Sequence, residues 1–432
     1  MGTGTEKAYQ AAVADIEGIV RFTSKNALSH TVRAMEYLGG PEGAFSVLHV
    51  AGTNGKGSCC AYLEAVLRAG GYRTGLFTSP HLVDTRERFR VNGEIVSEET
   101  FLDAYRTVKD AAGKLAAEGE TYPTYFEFLF LMSLVIFRKA GVDVAVMETG
   151  LGGRLDATNV LRPLVSVITS VSLDHMQYLG DTVEAIAAEK AGIIKEGVPV
   201  VFDDTDERVC GVIRRKAEEM HAPVKGLSEA GALSAPDGDM LTVKIPGTPF
   251  AENGLRLRTK AAYQADNAVL AFMALAFLQD AFPVPEEAVR KGFGTMRWDG
   301  RMQELPGRIF LDGAHNEGGI RAFAGAAEAA AQGRDITLLF AAMKDKDYGT
   351  MIRYLCGRLH PKTVVATETG SARSLPADTL AGLFSEAGAP AAAVPDMKEA
   401  FAYAKTIQGD GVLFVVGSLY LIGGILKLYD QL

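Results

Sequence analysis

Ser46-Val-Leu-His-Val-Ala-Gly-Thr-Asn-Gly-Lys-Gly-Ser58 is the stretch whose reading decides the fold. An apolar run, Ser46 to Val50, leads into a glycine-rich turn and then into the helix-like stretch Cys59 to Gly70. In that order of strand, loop and helix, backbone N–H groups and a helix N-terminus face an anion. Lys56 is expected to reach the β and γ phosphates of a bound nucleotide, and Ser58 to meet a phosphate or its magnesium ion. The spacing departs from the standard Walker A pattern: Gly52 stands three residues before Gly55, and Gly57 intervenes between Lys56 and Ser58.

Outward from this loop, further short apolar runs end in Gly, Ser, Thr or acidic residues: Thr74 to Phe77, Val142 to Met147, Leu164 to Thr169 and Val198 to Phe202. Helical stretches separate most of them, which is the appearance of a doubly wound parallel sheet. Ligands of such sheets sit at the carboxyl ends of the strands. The residues there are Thr78-Ser-Pro-His81, Glu148-Thr-Gly-Leu-Gly-Gly-Arg154 and Ser172-Leu-Asp-His175. Glu148 sits where a nucleotide fold places a magnesium-binding carboxylate, and His175 is suited to a divalent metal or a phosphate.

The alternation breaks at Gly294 to Pro306 and then resumes. Arg308 to Leu311, Thr337 to Ala341, Thr363 to Ala366 and Val412 to Val416 read as strands of a second, smaller α/β unit, with Ile320 to Ala331 as a helix. The expected division is residues 1–297, a linker at 298–306, and residues 307–432. Phe310-Leu-Asp-Gly-Ala-His-Asn316 repeats the strand-then-turn pattern, so Arg301 and Asp312 are candidates to hold a nucleotide from the other side. Between Asp204 and Asn253 only Leu241 to Ile245 alternates, like an exposed strand, and the remainder reads as loops.

Composition bounds the alternatives. A chain of 432 residues exceeds the usual size of one core, which favours two domains. With 48% hydrophobic and 22% charged residues it is of ordinary globular type, and a net charge of -9 disfavours a nucleic-acid surface built on bulk positive charge. Four cysteines, with Cys59 and Cys60 adjacent, make neither a disulfide framework nor a metal spacing. The apolar stretches Phe128 to Phe137 and Val412 to Leu426 fall short of the roughly 18 residues that span a bilayer and read as core. Glu6, Asp15 and Glu17 are unlike the basic start of a signal peptide, so a cytoplasmic location is expected.

The chain resembles the folylpolyglutamate synthase and dihydrofolate synthase branch of the Mur ligase superfamily. The resemblance runs through Gly52 to Ser58, Thr78-Ser-Pro-His-Leu82, Glu87-Arg-Phe-Arg-Val-Asn-Gly93, Thr124-Tyr-Phe-Glu127, Gly150-Leu-Gly-Gly-Arg-Leu-Asp-Ala-Thr-Asn159, Glu189-Lys-Ala-Gly-Ile193 and Asp312-Gly-Ala-His-Asn316. It implies an α/β fold with an N-terminal P-loop Mur-ligase-type ATPase domain and a C-terminal Rossmann-like α/β domain. It also implies an ATP-dependent ligase, with Mg2+, that joins L-glutamate to a folate, and in bifunctional members to dihydropteroate, through an acyl phosphate.

The same resemblance assigns roles. Gly55, Lys56, Gly57 and Ser58 would bind ATP phosphates; Asn267, Arg301 and Asp312 would contact ATP; Ser79, Glu148 and His175 would ligate magnesium. Thr124, Tyr125, Phe126 and Glu127, with Leu155, Asp156 and Ala157, fall on the pterin-substrate segments. Lys190 matches a lysine carbamylated in the superfamily, and His315 and Ser418 are candidates for the glutamate. Pro123 stands where some bifunctional enzymes carry Leu. A monomer is expected, with no nucleic-acid or membrane partner. Two rivals stay open at this stage: a cell-wall Mur ligase, disfavoured by the Ser79-Pro-His-Leu82 and Gly150 to Asn159 segments, and a regulatory P-loop ATPase.

Overall fold

A computed structural model describes residues 4–20 and 26–429. The first sheet has eight strands: β1 Ser46–Ala51, β2 Thr74–Phe77, β3 Phe89–Val91, β4 Glu94–Ile95, β5 Val144–Glu148, β6 Val165–Ile168, β7 Val200–Phe202 and β8 Val224–Gly226. Their order is β4-β3-β2-β5-β1-β6-β7-β8, parallel from β2 to β8 with an antiparallel hairpin at one edge. Strand β1 lies centrally between β5 and β6, so the loop that leaves its end sits in the middle of the sheet.

Helices cover both faces, and that double burial is why the strands read as unbroken apolar runs. On one face the helix Lys56–Ala69 packs Cys59, Leu63 and Val66 into a core shared with Val269 and Phe293, and Tyr62 stacks on Phe293 at 5.2 Å. On the other, Tyr125–Ala140 is buried along most of its length through residues such as Phe128, Leu131 and Phe137.

The region from Asp204 to Asn253 differs from its reading as loops. It holds the helix Glu207–Glu219, the sheet strand β8, and two strands, β9 Leu233–Asp237 and β10 Met240–Lys244, of a three-stranded antiparallel sheet completed just beyond it by β11 Leu255–Leu257. Strand β10 is the central strand of this sheet rather than an exposed one. Leu241, Val243 and Ile245 are buried against the core beneath the helix Lys56–Ala69, which explains the alternation.

The second sheet comprises β12 Gln303–Leu305, β13 Ile309–Leu311, β14 Ile336–Phe340, β15 Thr363–Ala366, β16 Ala391–Ala393 and β17 Val412–Val416. Its order is β12-β13-β17-β14-β15-β16, parallel except for the antiparallel edge strand β12. Strand β12 falls within the stretch read as linker; three residues are too few to show a period, and pairing with β13 decides their conformation. No described helix is long and apolar enough to cross a membrane.

Candidate active site

The carboxyl ends of the two sheets meet across a cleft that encloses a cavity of about 760 Å3. Every candidate residue named from the sequence lines it: Gly55 to Ser58, Ser79, Thr124 to Glu127, Glu148, Leu155 to Ala157, His175, Lys190, Asn267, Arg301, Asp312, His315 and Ser418.

At the centre, Gly55 precedes the helix Lys56–Ala69 with φ +88°. A Cβ there would lie 2.1 Å from Asn267 Oδ1, so both the turn and the close approach require glycine. Asn267 Nδ2 donates to Gln264 Oε1 at 3.1 Å, and Gln264 Nε2 donates to Ser58 Oγ at 3.1 Å, tying the loop to the helix Gln264–Ala276. Lys56 folds back on its own loop: Nζ donates to the carbonyls of Gly52 and Thr53 at 3.1 and 3.2 Å and lies 4.0 Å from Glu148 Oε1.

Glu148 is the last residue of β5 rather than the first after it. Its carboxylate is buried; Oε2 accepts from the Ser79 amide at 2.9 Å. Burial raises its pKa above the ordinary carboxylate range, opposed by Lys56 and the Ser79 N–H. A buried carboxylate with so few donors is chemistry that suits a hard cation, and Ser79 adds an oxygen donor beside it.

His175 heads the short helix Met176–Leu179 in a left-handed conformation, φ 51°. Such a conformation is uncommon for a residue with a side chain and is found at functional sites. Burial lowers its pKa, opposed by Asp174, so the ring stays neutral near pH 7, the form in which an imidazole ligates a metal. Lys190 is fully inside: its Nζ donates to Gly52 O at 2.6 Å, and it pairs with neither Glu189 nor Glu196. Glu189 instead holds Arg154 at 2.8 Å.

Across the cleft, Asp312 accepts from Tyr263 Oη at 2.6 Å, from the Met302 amide at 3.0 Å and from the Ala314 amide at 2.9 Å. Arg301 Nη1 donates to the Gly300 carbonyl at 2.9 Å. Burial and the charge of Lys346 push His315 down to about 4, leaving it neutral, with Nδ1 2.8 Å from the Gly313 carbonyl. Ser418 is buried at the end of β17, its Oγ accepting from the Tyr420 amide at 3.2 Å.

At the far end of the cavity Thr124 and Glu127 form a capping box on the helix Tyr125–Ala140, and Glu127 also accepts from Asn26 Nδ2 at 2.8 Å. Their side chains therefore shape the helix start, while Tyr125, Phe126 and Leu155 present apolar surface. The Arg88 guanidinium lies 5.6 Å from the Tyr125 ring. Asp156 turns its carboxylate onto its own loop, accepting from the Gly150 and Leu151 amides at 2.9 Å each and from Thr158.

One charged residue of the cleft, Lys346, escaped the sequence reading. Lys346 Nζ lies 2.5 Å from Asp174 Oδ1, both side chains more than nine-tenths buried, and Asn316 Nδ2 donates to Asp174 Oδ2 at 2.9 Å. Asn316 also exchanges hydrogen bonds with Asn54 of the glycine-rich loop. Lys346 follows β14 in Met343-Lys-Asp-Lys-Asp-Tyr348, so the strand-end rule applied to that strand would have found it.

Residues 50–275 match the Mur ligase middle domain, and residues 300–419 match the Mur ligase glutamate ligase domain. The dihydrofolate synthase/folylpolyglutamate synthase of Bacillus subtilis is 38% identical over 358 residues, 81% of this chain and 83% of that protein. The folylpolyglutamate synthase of Mycobacterium tuberculosis, solved with ADP and AMPPCP, superposes with a TM-score of 0.88 at 28% identity, covering 98% of this chain and 99% of that one. The E. coli FolC solved with DHPP and ADP gives 0.85 at 26%, covering 100% and 99%.

Proposed function

Because the chain belongs to the dihydrofolate synthase/folylpolyglutamate synthase family of the Mur ligases, ATP-dependent enzymes that form amide bonds, we propose how its own residues divide that work. The observation that carries the reading is a single cavity running from the Lys56 loop, past Glu148 and His175, to the apolar wall of Tyr125, Phe126 and Leu155. ATP lies along Gly55 to Ser58 with Asn267, Arg301 and Asp312 beside it, and the folate or dihydropteroate ring lies against the apolar wall. L-glutamate enters from the second sheet, near His315 and Ser418. DHPP and ADP in the E. coli structure support this division.

Glu148, Ser79 and His175 would hold Mg2+, which when bound supplies positive charge to the triphosphate. Lys56 leaves the Gly52 and Thr53 carbonyls for the phosphates, and Arg301 faces the same charge from the second side. The substrate carboxylate attacks the γ-phosphorus and ADP departs. The glutamate amine then attacks the acyl carbon, phosphate departs, and one proton is released. The walls of the cleft position the groups and keep water from the acyl phosphate. The reading includes a cytoplasmic monomer, on the family resemblance.

ADP release is measured with L-glutamate and either tetrahydrofolate or dihydropteroate. ATP turnover is expected to require both glutamate and a pterin substrate, with dihydropteroate accepted. ATP turnover independent of glutamate would remove the ligase reading, and turnover with tetrahydrofolate alone would restrict the enzyme to polyglutamylation.

A further inference from the structure

His49 lies in the middle of β1, fully buried, and is not among the residues that line the cavity. An imidazole inside a parallel sheet is costly unless its polar atoms are partnered. Nε2 lies 2.7 Å from Thr158 Oγ1, and the Thr158 hydroxyl donates to Asp156 Oδ1 at 2.6 Å. The carboxylate of Asp156 also accepts from the Thr158 amide at 3.1 Å and, through Oδ2, from the amides of Gly150 and Leu151 at 2.9 Å each. With four donors converging on it, Asp156 serves as an acceptor, so the hydroxyl hydrogen of Thr158 is committed to it. The Thr158 oxygen therefore accepts from His49, which fixes the proton on Nε2. Nδ1 is buried and has no partner among the described residues.

The relay ends on the wall of the cavity. Gly150 lies so close to Phe126 that a Cβ there would stand 2.6 Å from the ring, so the position of the Gly150 and Leu151 amides sets where the apolar wall stands. We infer that His49 is a positioning residue for the folate substrate: through Thr158 and Asp156 it holds the Gly150–Leu151 segment against Phe126 and so sets the width of the pterin subsite. The histidine keeps an unpartnered nitrogen in the core, a cost that a residue serving only the fold would avoid. Burial pushes its pKa down to about 3, so the relay keeps one protonation state across the working pH range. The inference rests on the folate reading of the cavity given above.

The test compares steady-state constants of His49→Leu, His49→Gln, Thr158→Val and Phe126→Ala. His49→Leu keeps the volume and removes the donor, and is expected to raise the KM for tetrahydrofolate at least about tenfold. The KM values for ATP and glutamate should change less than about twofold, because the loop of Gly52 to Ser58 is outside the relay. His49→Gln restores an N–H donor and should recover most of the loss, and Thr158→Val should reproduce the leucine phenotype. In the wild-type enzyme, 15N spectra of the ring should show a protonated Nε2 and a bare Nδ1 from pH 5 to 9.

A folded His49→Leu enzyme with unchanged folate KM, alongside a Phe126→Ala enzyme whose folate KM rises, would overturn the inference and leave the folate reading standing. If neither variant moves the folate KM, both fall. Equal loss for all three substrates, or no recovery with glutamine, would reduce His49 to a general core residue and overturn the inference. Should His49→Leu fail to fold, Thr158→Val decides by the same criteria.

Discussion

Lys56 and Lys190 donate to the same oxygen, the Gly52 carbonyl, at 3.1 and 2.6 Å. Two ammonium groups on one acceptor repel, and Lys190 is the more deeply buried of the two. Burial, and then the charge of Lys56, lower its pKa well below that of an ordinary lysine. A neutral amine is the form that adds CO2, and the resulting carbamate would reverse the charge beside Lys56. We predict that the active enzyme carries this carbamate, detectable by 13C NMR after exposure to labelled bicarbonate. Lys190→Ala should be nearly inactive and partly rescued by acetate or formate. Full activity of the alanine enzyme would end the assignment.

Lys56→Ala is expected to lower kcat at least about a hundredfold, the scale of removing one strong electrostatic contact in the transition state. The fold should persist, because Lys56 donates to two carbonyls of its own loop and otherwise faces Glu148 at 4.0 Å. The check is kcat beside a thermal melt. Near-normal turnover in a folded variant would remove the phosphate role.

Glu148→Gln should separate activity from stability. The buried carboxylate has a raised pKa, so the native state binds its proton more tightly than the unfolded chain, and stability falls as pH rises through that window. The neutral amide escapes this cost. The ligand-free variant should melt above the wild type at pH 8 while turnover falls and moderate Mg2+ excess fails to restore it. A lower melting temperature, or full rescue by magnesium, would contradict the role given to Glu148.

Asp174→Asn cuts one of the links between the two α/β units. Burial pushes Asp174 up, but Lys346 together with His175 and His315 outweighs it and holds the carboxyl well below its ordinary range. Removing one partner of a buried pair costs about 3–5 kcal/mol, since the other charge remains. Because Asp174 follows β6 and Lys346 follows β14, the loss should fall on closure of the cleft. Small-angle scattering should show a larger radius of gyration for the ligand-free variant, with lower turnover. Unchanged scattering and activity would mean that the pair is incidental.

His49 sets an acid-side slope. Its folded pKa is depressed to about 3 from an ordinary 6.5, so between these values the unfolded chain holds a proton that the native state lacks. Stability therefore rises with pH across that window, by at most about 1.4 kcal/mol per unit. The melting temperature of His49→Leu relative to wild type should shift in the variant's favour as pH drops from 7 to 4. A constant difference would show that His49 is not buried as a neutral ring.

The long central strands, the turns after them and the division into two α/β units were legible in the sequence. Strands buried on both faces must be continuously apolar, and a phosphate loop needs its glycines wherever it occurs. Thr74–Phe77, Thr363–Ala366 and Val412–Val416 coincide with their expected bounds. Gly55 to Ser58, Ser79, Glu148, His175 and Asp312 were legible for a related reason, since chemistry at strand ends converges once the sheet is parallel, whereas Thr124 to Glu127, Leu155 to Ala157, Lys190 and Asn267 were named only through the family resemblance. Short strands such as Phe89–Val91 and Gln303–Leu305 were not, because two or three residues carry no period and take their conformation from the strand they pair with. The pair of Asp174 and Lys346, 172 residues apart, and the relay from His49 to Asp156 depend on distances between side chains brought together by folding. A histidine within an apolar run looks like an interruption; only the neighbouring Thr158, 109 residues later in the chain, gives its ring nitrogen a partner and a consequence.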